Sequence, residues 1–278
     1  MTDTDHMEHP HGGQPWLAPF GDAYRILDLD SRPEEEALLQ AGCIEAALDL
    51  RRGDEVLDIA CATGRHAVQL AKRGYRVTGL DLNKDYLAQA ENRATQARTT
   101  IETVAEDMRE LPRLSRDRFD AAVIMYSSFG YFPDHADNLR VIEGVAHVLK
   151  PGGRFLLDVI NRDWFVRNYW PSDYAPGDDY FVTRDFQETN GQVLLHENVF
   201  RPLASTLSWS VSSTPATADA ECTETGISFT LTYRMYSVHE VAAMIDAAGL
   251  RLTAVFGDYE RSPFALTSPR ILCAAARH

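Results

Sequence analysis

Val56-Leu57-Asp58-Ile59-Ala60-Cys61-Ala62-Thr63-Gly64 reads as a short apolar strand that runs into small residues and then into a helix. Small side chains at such a turn let backbone amides approach a ligand, and the helix that follows aims its N-terminus at the same place. A dinucleotide phosphate loop would need G-x-G-x-x-G. Here Ala60 and Ala62 stand at the first two glycine positions, and no third glycine follows Gly64 at the required spacing. The pyrophosphate reading is weak.

Downstream of this turn the chain alternates β-rich runs with amphipathic stretches. The reading gives strand 56–60, helix 66–73, strand 76–80, helix 84–97, strand 100–105, strand 121–126, helix 135–149 and strand 154–160. Such alternation predicts an α/β fold with a mostly parallel sheet covered by helices on both faces. Lys150-Pro151-Gly152-Gly153 reads as a helix stop and turn. From Tyr180 the pattern changes to β-prone runs, 180–186, 192–201, 206–212 and 227–236, which predict an antiparallel insertion. Ser237-Val238-His239-Glu240 is a capping box opening a last helix that Gly249 ends, and 250–256 and 270–276 supply two final strands.

Two strand ends carry acidic residues with a chemical reading. Asp81, followed by Leu82, closes the second strand, 23 residues beyond Asp58 (81 − 58), where a carboxylate can accept from two ribose hydroxyls. Glu106-Asp107-Met108 closes the third, where Asp107 can accept from an exocyclic adenine amine while Met108 packs on the ring.

With these elements in order, the chain from about 55 to 278 resembles the class I S-adenosylmethionine-dependent methyltransferases. VLDIACATGRHA looks like their first cofactor motif, VTGLDLN like the acidic second, AEDM like the adenine motif, and FDAAVIMYSSFGYF with LKPGGRFLLDV like the later strand motifs. The resemblance implies a Rossmann-like, seven-stranded sheet with its last strand antiparallel, S-adenosylmethionine as cofactor and S-adenosylhomocysteine as product. It also implies a cap built from N-terminal helices and the insertion. Asp58, Ala60, Cys61, Ala62, Gly64, Asp81, Leu82, Glu106, Asp107, Met108 and Tyr126 are the expected cofactor residues. The chain's ending and the run 158–163 look like a bacterial small-molecule branch that includes indole C3-methyltransferases of alkaloid pathways.

A sulfonium is already an activated methyl donor, so the protein has to align an acceptor and exclude water. The expected reaction is transfer to a carbon or nitrogen of a small, aromatic metabolite of natural-product type, with oxygen as the alternative. Tyr24, His196 and Glu197 are the candidate catalytic residues, though on a strand only one of His196 and Glu197 can face a given pocket. His66 and His135 are further candidate bases. Phe20, Tyr131, Trp164, Trp170 and Tyr180 are expected to line an aromatic acceptor pocket. The loop after the fourth strand lacks an Asn-Pro-Pro-Tyr sequence of nucleic-acid methyltransferases; an RNA or protein substrate, a nicotinamide enzyme and a non-catalytic binding protein are the remaining alternatives.

Composition agrees. The chain has 278 residues, 45% hydrophobic, and a net charge of 27 − 41 = −14, which repels phosphate backbones and anionic lipid. A small-molecule acceptor is the expected partner, with no nucleic acid, no membrane and a homodimer admitted. Met1–Pro15 is acidic and His-rich with no apolar run of about 18 residues anywhere, so the expectation is cytoplasmic. Cys43, Cys61, Cys222 and Cys273 read as buried thiols, and no metal site is expected. The organisation expected is a disordered tail over 1–19, a helical cap over 20–54, a cofactor core over 55–175, a β insertion serving as substrate cap over 176–236, and the last core elements over 237–278.

Overall fold

The computed structural model describes residues 19–169, 172–173, 181–189, 192–202, 222–223 and 226–278. In chain order they form α1 (Asp22–Tyr24), which continues as a π-helical turn (Arg25–Leu29), α2 (Glu34–Ala47), β1 (Glu55–Ile59), α3 (Arg65–Lys72), β2 (Arg76–Asp81), α4 (Lys84–Gln96) and β3 (Glu102–Ala105). A 3-10 turn (Met108–Arg113) leads to β4 (Phe119–Ile124), α5 (His135–Val148), β5 (Leu149–Ile160) and α6 (Arg162–Arg167). The remainder is β6 (Ser172–Asp173), β7 (Phe181–Thr189), β8 (Gln192–Pro202), β9 (Cys222–Thr223), β10 (Gly226–Met235), α7 (Val238–Ala247), β11 (Leu250–Phe256) and β12 (Arg270–Arg277).

Seven strands form one sheet in the order β11-β12-β5-β4-β1-β2-β3. β1 is parallel to β2 and β4, β5 is parallel to β4, and β12 is antiparallel to both β5 and β11. This is the expected Rossmann-like sheet with its antiparallel last strand. A second sheet has the order β6-β7-β8-β10-β9. The β-prone run 206–212 and the tail 1–18 lie outside the described residues.

Helix starts follow from side-chain caps. Asn83 accepts from the amides of Asp85 (2.9 Å) and Tyr86 (3.2 Å) at the head of α4, and Asp134 accepts from Ala136 (2.9 Å) at the head of α5. At α7 the capping box is closed: Ser237 Oγ accepts from the Glu240 amide at 3.3 Å, and Glu240 Oε2 accepts from the Ser237 amide at 2.9 Å. The helix stop and turn expected at 150–153 are present, with α5 ending at Val148; the turn lies within the extent of β5, as a register shift between Leu149 opposite Phe119 and Arg154 opposite Ala121. The left-handed Gly152 marks that irregularity.

The chain divides into two compact units. One comprises Met1–Ser31, Trp170–Phe186 and Leu195–Thr232; the other comprises Arg32–Tyr169, Gln187–Leu194 and Tyr233–His278. The stretch 20–54, read from sequence as one cap, is divided at Ser31. Within the larger unit, α2 buries Ala41 and Ile44 in a cluster with Val56, Leu70, Val77, Val123, Leu156 and Leu272, so it covers the sheet through continuous apolar packing. No helix among the described residues is long and apolar enough to cross a membrane.

Candidate functional site

Turn 60–64 is held in an alternating conformation. Ala60 (φ 56°), Ala62 (φ 46°) and Gly64 (φ 75°) are left-handed, a region that costs a non-glycine residue about 1–2 kcal/mol. Fixed hydrogen bonds hold the turn: the Cys61 amide donates to Leu80 O (3.0 Å), the Ala62 amide to Asp81 Oδ2 (2.9 Å), and the Gly64 amide to Cys61 O (2.9 Å). Gly64 also lets α3 approach α4, since a Cβ there would lie 2.7 Å from that of Ala90. Cys61 is buried against Gly79 for the same reason.

Beneath the turn Asp58 is 1% exposed. Its carboxylate accepts from the Ala67 amide in the first turn of α3, while Oδ2 has no partner among the described residues. Burial, reinforced by the charge of Asp81, pushes its pKa up to about 7. Between about pH 4, where an unfolded aspartate titrates, and pH 7 the folded form therefore keeps a proton that the unfolded chain has lost. Asp58 withdraws stability as pH rises through that window. Asp58→Asn, which can still accept from Ala67, is expected to melt at a higher temperature relative to wild type at pH 8 than at pH 5. Equal differences at both pH values would refute this.

Asp81 ends β2 with its carboxylate spread between two loops. Oδ2 takes the Ala62 amide and Oδ1 the Asn83 amide, both at 2.9 Å, which leaves acceptor capacity on each oxygen. Burial raises its pKa against the backbone amides of Asn83, Ala62 and Leu82. The Glu106 amide donates to Asp81 O (3.2 Å), tying the tips of β2 and β3 together. Met108 is buried there, and Glu106 pairs with Arg113 at 3.3 Å. Asp107 has less freedom than its position suggests, because Oδ1 accepts from the Arg109 amide (2.8 Å) and Oδ2 from the Arg109 guanidinium (2.7 Å). A purine amine at Asp107 would have to share the carboxylate with Arg109.

Tyr126 follows β4, level with the turn after β1, since Ile124 pairs with Ile59. Its ring lies 3.7 Å from the guanidinium of Arg32, 5.3 Å from Arg65 and 5.2 Å from Arg270, and its hydroxyl accepts from Arg32. Its amide donates to Asp158 Oδ2 at 2.9 Å. Asp58, Ala60, Cys61, Ala62, Gly64, Asp81, Leu82, Glu106, Asp107, Met108 and Tyr126 thus gather at the tips of β1–β4 in the larger unit. Arg32, Tyr259 and Arg270 join Tyr126 without having been singled out from sequence.

Other candidates fall elsewhere. Tyr131 contacts Tyr233 edge-on with centroids 6.4 Å apart, and Trp164 is half-buried on α6. In the smaller unit Tyr24 packs edge-on against Phe20 (5.2 Å) and Phe229 (5.1 Å). His196 on β8 contacts Thr232 Oγ1 through Nδ1 at 2.8 Å, and its buried Nε2 has no partner among the described residues. Glu197 is placed on β8 by its backbone alone, and Trp170 and Tyr180 lie outside the described residues. His66 is buried with Nε2 2.6 Å from Gln40 Oε1, and burial drives its pKa down to about 3, so it stays neutral. His135 sits exposed in the first turn of α5. Among the described residues no group of three His, Cys, Asp or Glu side chains could hold a metal ion.

Residues 56–153 match the family described as methyltransferase domain. YqeM of Bacillus subtilis, provisionally named a methyltransferase, is 30% identical over 159 residues, covering 56% of this chain and 63% of that protein. The glycine/sarcosine N-methyltransferase of Aphanothece halophytica is 32% identical over 120 residues, 43% of this chain and 45% of that enzyme. The chain therefore spans less than two thirds of the length of either relative. An S-adenosylmethionine-dependent methyltransferase of Clostridium acetobutylicum has the same fold, with a TM-score of 0.68 at 18% identity, covering 91% of this chain and 96% of that one.

Proposed function

We propose that this protein, whose residues 56–153 match a methyltransferase domain, is a class I enzyme that moves a methyl group from S-adenosylmethionine to a carbon or nitrogen of a small molecule, with oxygen as the alternative. When bound, that cofactor supplies a methyl on a sulfonium and departs as the thioether S-adenosylhomocysteine, while the acceptor gains the methyl and loses a proton. The observation that carries this reading is Asp81 at the tip of β2: each of its oxygens takes one backbone amide at 2.9 Å and keeps acceptor capacity for a sugar hydroxyl. The turn beside it has Ala60 and Ala62 where a dinucleotide phosphate loop needs glycines, which disfavours a nicotinamide cofactor.

Sheet order gives the donor a direction. With the sugar at Asp81 on β2 and the purine beside β3, the rest of the donor extends over β1 toward β4, the order being β4-β1-β2-β3. Tyr126 stands at that end. The chain's task is then to hold the nucleoside, exclude water and align the acceptor for in-line displacement.

For proton removal we propose His196, supported by an imidazole held at Nδ1 by Thr232 whose buried Nε2 has no partner among the described residues. Tyr24 and Phe20 are proposed as acceptor contacts, as are Glu197, Trp164, Trp170, Tyr131 and Tyr180. His196→Gln is expected to lower kcat about 10²- to 10⁴-fold with S-adenosylhomocysteine affinity unchanged; full activity in the variant would remove His196 from the mechanism. The relative named for glycine and sarcosine N-methylation supports nitrogen as the acceptor atom, and a relative named as a ubiquinone biosynthesis O-methyltransferase supports oxygen equally. The narrower likeness to indole C3-methyltransferases gains no support from either.

The deciding experiment pairs calorimetry with mass spectrometry. S-adenosylhomocysteine should bind and NADH should not, and incubation with S-adenosylmethionine and a metabolite panel should add one methyl, whose position identifies the acceptor atom. Binding of NADH in place of S-adenosylhomocysteine would overturn the proposal.

A further inference from the structure

Tyr126 (φ 56°) and Ser127 (φ 63°) are consecutive left-handed residues and neither is glycine. Each such position costs on the order of 1–3 kcal/mol, so something must impose the conformation. The imposing group is Asp158, at the end of β5 and fully buried. Its Oδ2 accepts from the Tyr126 amide (2.9 Å) and the Tyr259 hydroxyl (2.8 Å), its Oδ1 from Arg270 Nε (2.6 Å), and its backbone carbonyl from the Ser127 amide (3.0 Å). Arg270 Nη2 donates in turn to Ser127 Oγ at 3.0 Å, and that oxygen also accepts from the Ile160 amide at 3.1 Å. Asp158 thus holds both strained residues through their backbone amides and Arg270 holds Ser127 through its hydroxyl, and this ion pair joins β5 to the antiparallel β12.

We infer that Asp158, Arg270 and Tyr259 are positioning residues that fix the Tyr126–Ser127 kink and so set the wall beside the sulfonium end of the methyl donor. The inference rests on the methyltransferase reading, which directs that end of the donor toward β4. An ion pair serving stability alone has no need of two left-handed residues at a strand tip level with the cofactor turn. Arginine suits the role because its fork spans Asp158 and Ser127 together, which a lysine ammonium cannot do with the same geometry.

The test compares the Kd of S-adenosylmethionine with that of S-adenosylhomocysteine, by calorimetry on the full chain. Their ratio reads only the surroundings of the sulfonium methyl, and loss of overall stability does not move it. Arg270→Lys is expected to shift the ratio at least fivefold and Tyr259→Phe about threefold, whereas Asp81→Ala weakens both ligands together. A ratio within 1.5-fold of wild type in Tyr259→Phe, with a lowered melting temperature, would assign the network to stability and overturn the inference. Should Arg270→Lys fail to fold, Tyr259→Phe, which loses one hydroxyl, decides alone. Wild-type protein that binds neither ligand would instead sink the functional reading itself.

Discussion

Asp81→Ala is expected to weaken S-adenosylhomocysteine binding by about 10²- to 10⁴-fold in calorimetry. Two sugar hydroxyls donating to an ionised carboxylate contribute roughly 1.5–3 kcal/mol each, and every 1.4 kcal/mol is about tenfold in affinity. A second loss adds to the first. Asp81 is also the acceptor for the Ala62 and Asn83 amides, so its removal frees the turn that carries two left-handed alanines. Asp81→Asn should not rescue binding, because an amide offers one acceptor oxygen and turns an NH2 toward the other backbone donor. Affinity within threefold of wild type in Asp81→Ala would remove the central contact of the proposed site.

That site was legible because its chemistry sits in short, local runs. Apolar 56–59 followed by small residues, and a strand closing on Asp81, need only the chain neighbours to be read, and the parallel sheet brings their tips together. What escaped reading is long-range or geometric. Arg270 meets Asp158 across 112 residues, and only the pairing of β12 with β5 brings them into contact. Nothing in Tyr126-Ser127 announces a left-handed pair, since neither residue type favours that region. Asp107 reads as a free acceptor until Arg109, two positions on, is seen folded back onto it. Lys150-Pro151-Gly152-Gly153 turns as its composition says, with Gly152 left-handed, but Leu149 already pairs with Phe119 before it, a long-range contact that local composition does not announce.

The second large effect is expected at Glu240, whose carboxylate joins three elements. Oε1 accepts from Arg234 Nη2 (2.9 Å), and Oε2 accepts from Arg162 Nη1 (2.7 Å) and from the amide and hydroxyl of Ser237 (both 2.9 Å). Burial alone would raise the pKa of Glu240, but Ser237, Arg234 and Arg162 together hold it below the ordinary value. This stabilisation is present at neutral pH and is lost as acid protonates the folded carboxylate. Arg234 makes the position sensitive: it is 7% exposed, and its Nε and Nη1 have no partner among the described residues, so Glu240 supplies the counter-charge to a buried cation. Stripping one member from a buried pair costs about 3–5 kcal/mol, and in a chain of this size that lowers Tm by roughly 10 °C. Glu240→Ala should show that loss in urea unfolding. Arg234→Met combined with Glu240→Ala should lose less than the two single variants added together, because no charge is then left buried alone. A loss under about 1 kcal/mol in Glu240→Ala, or simple additivity in the pair, would show that Arg234 finds its counter-charge elsewhere.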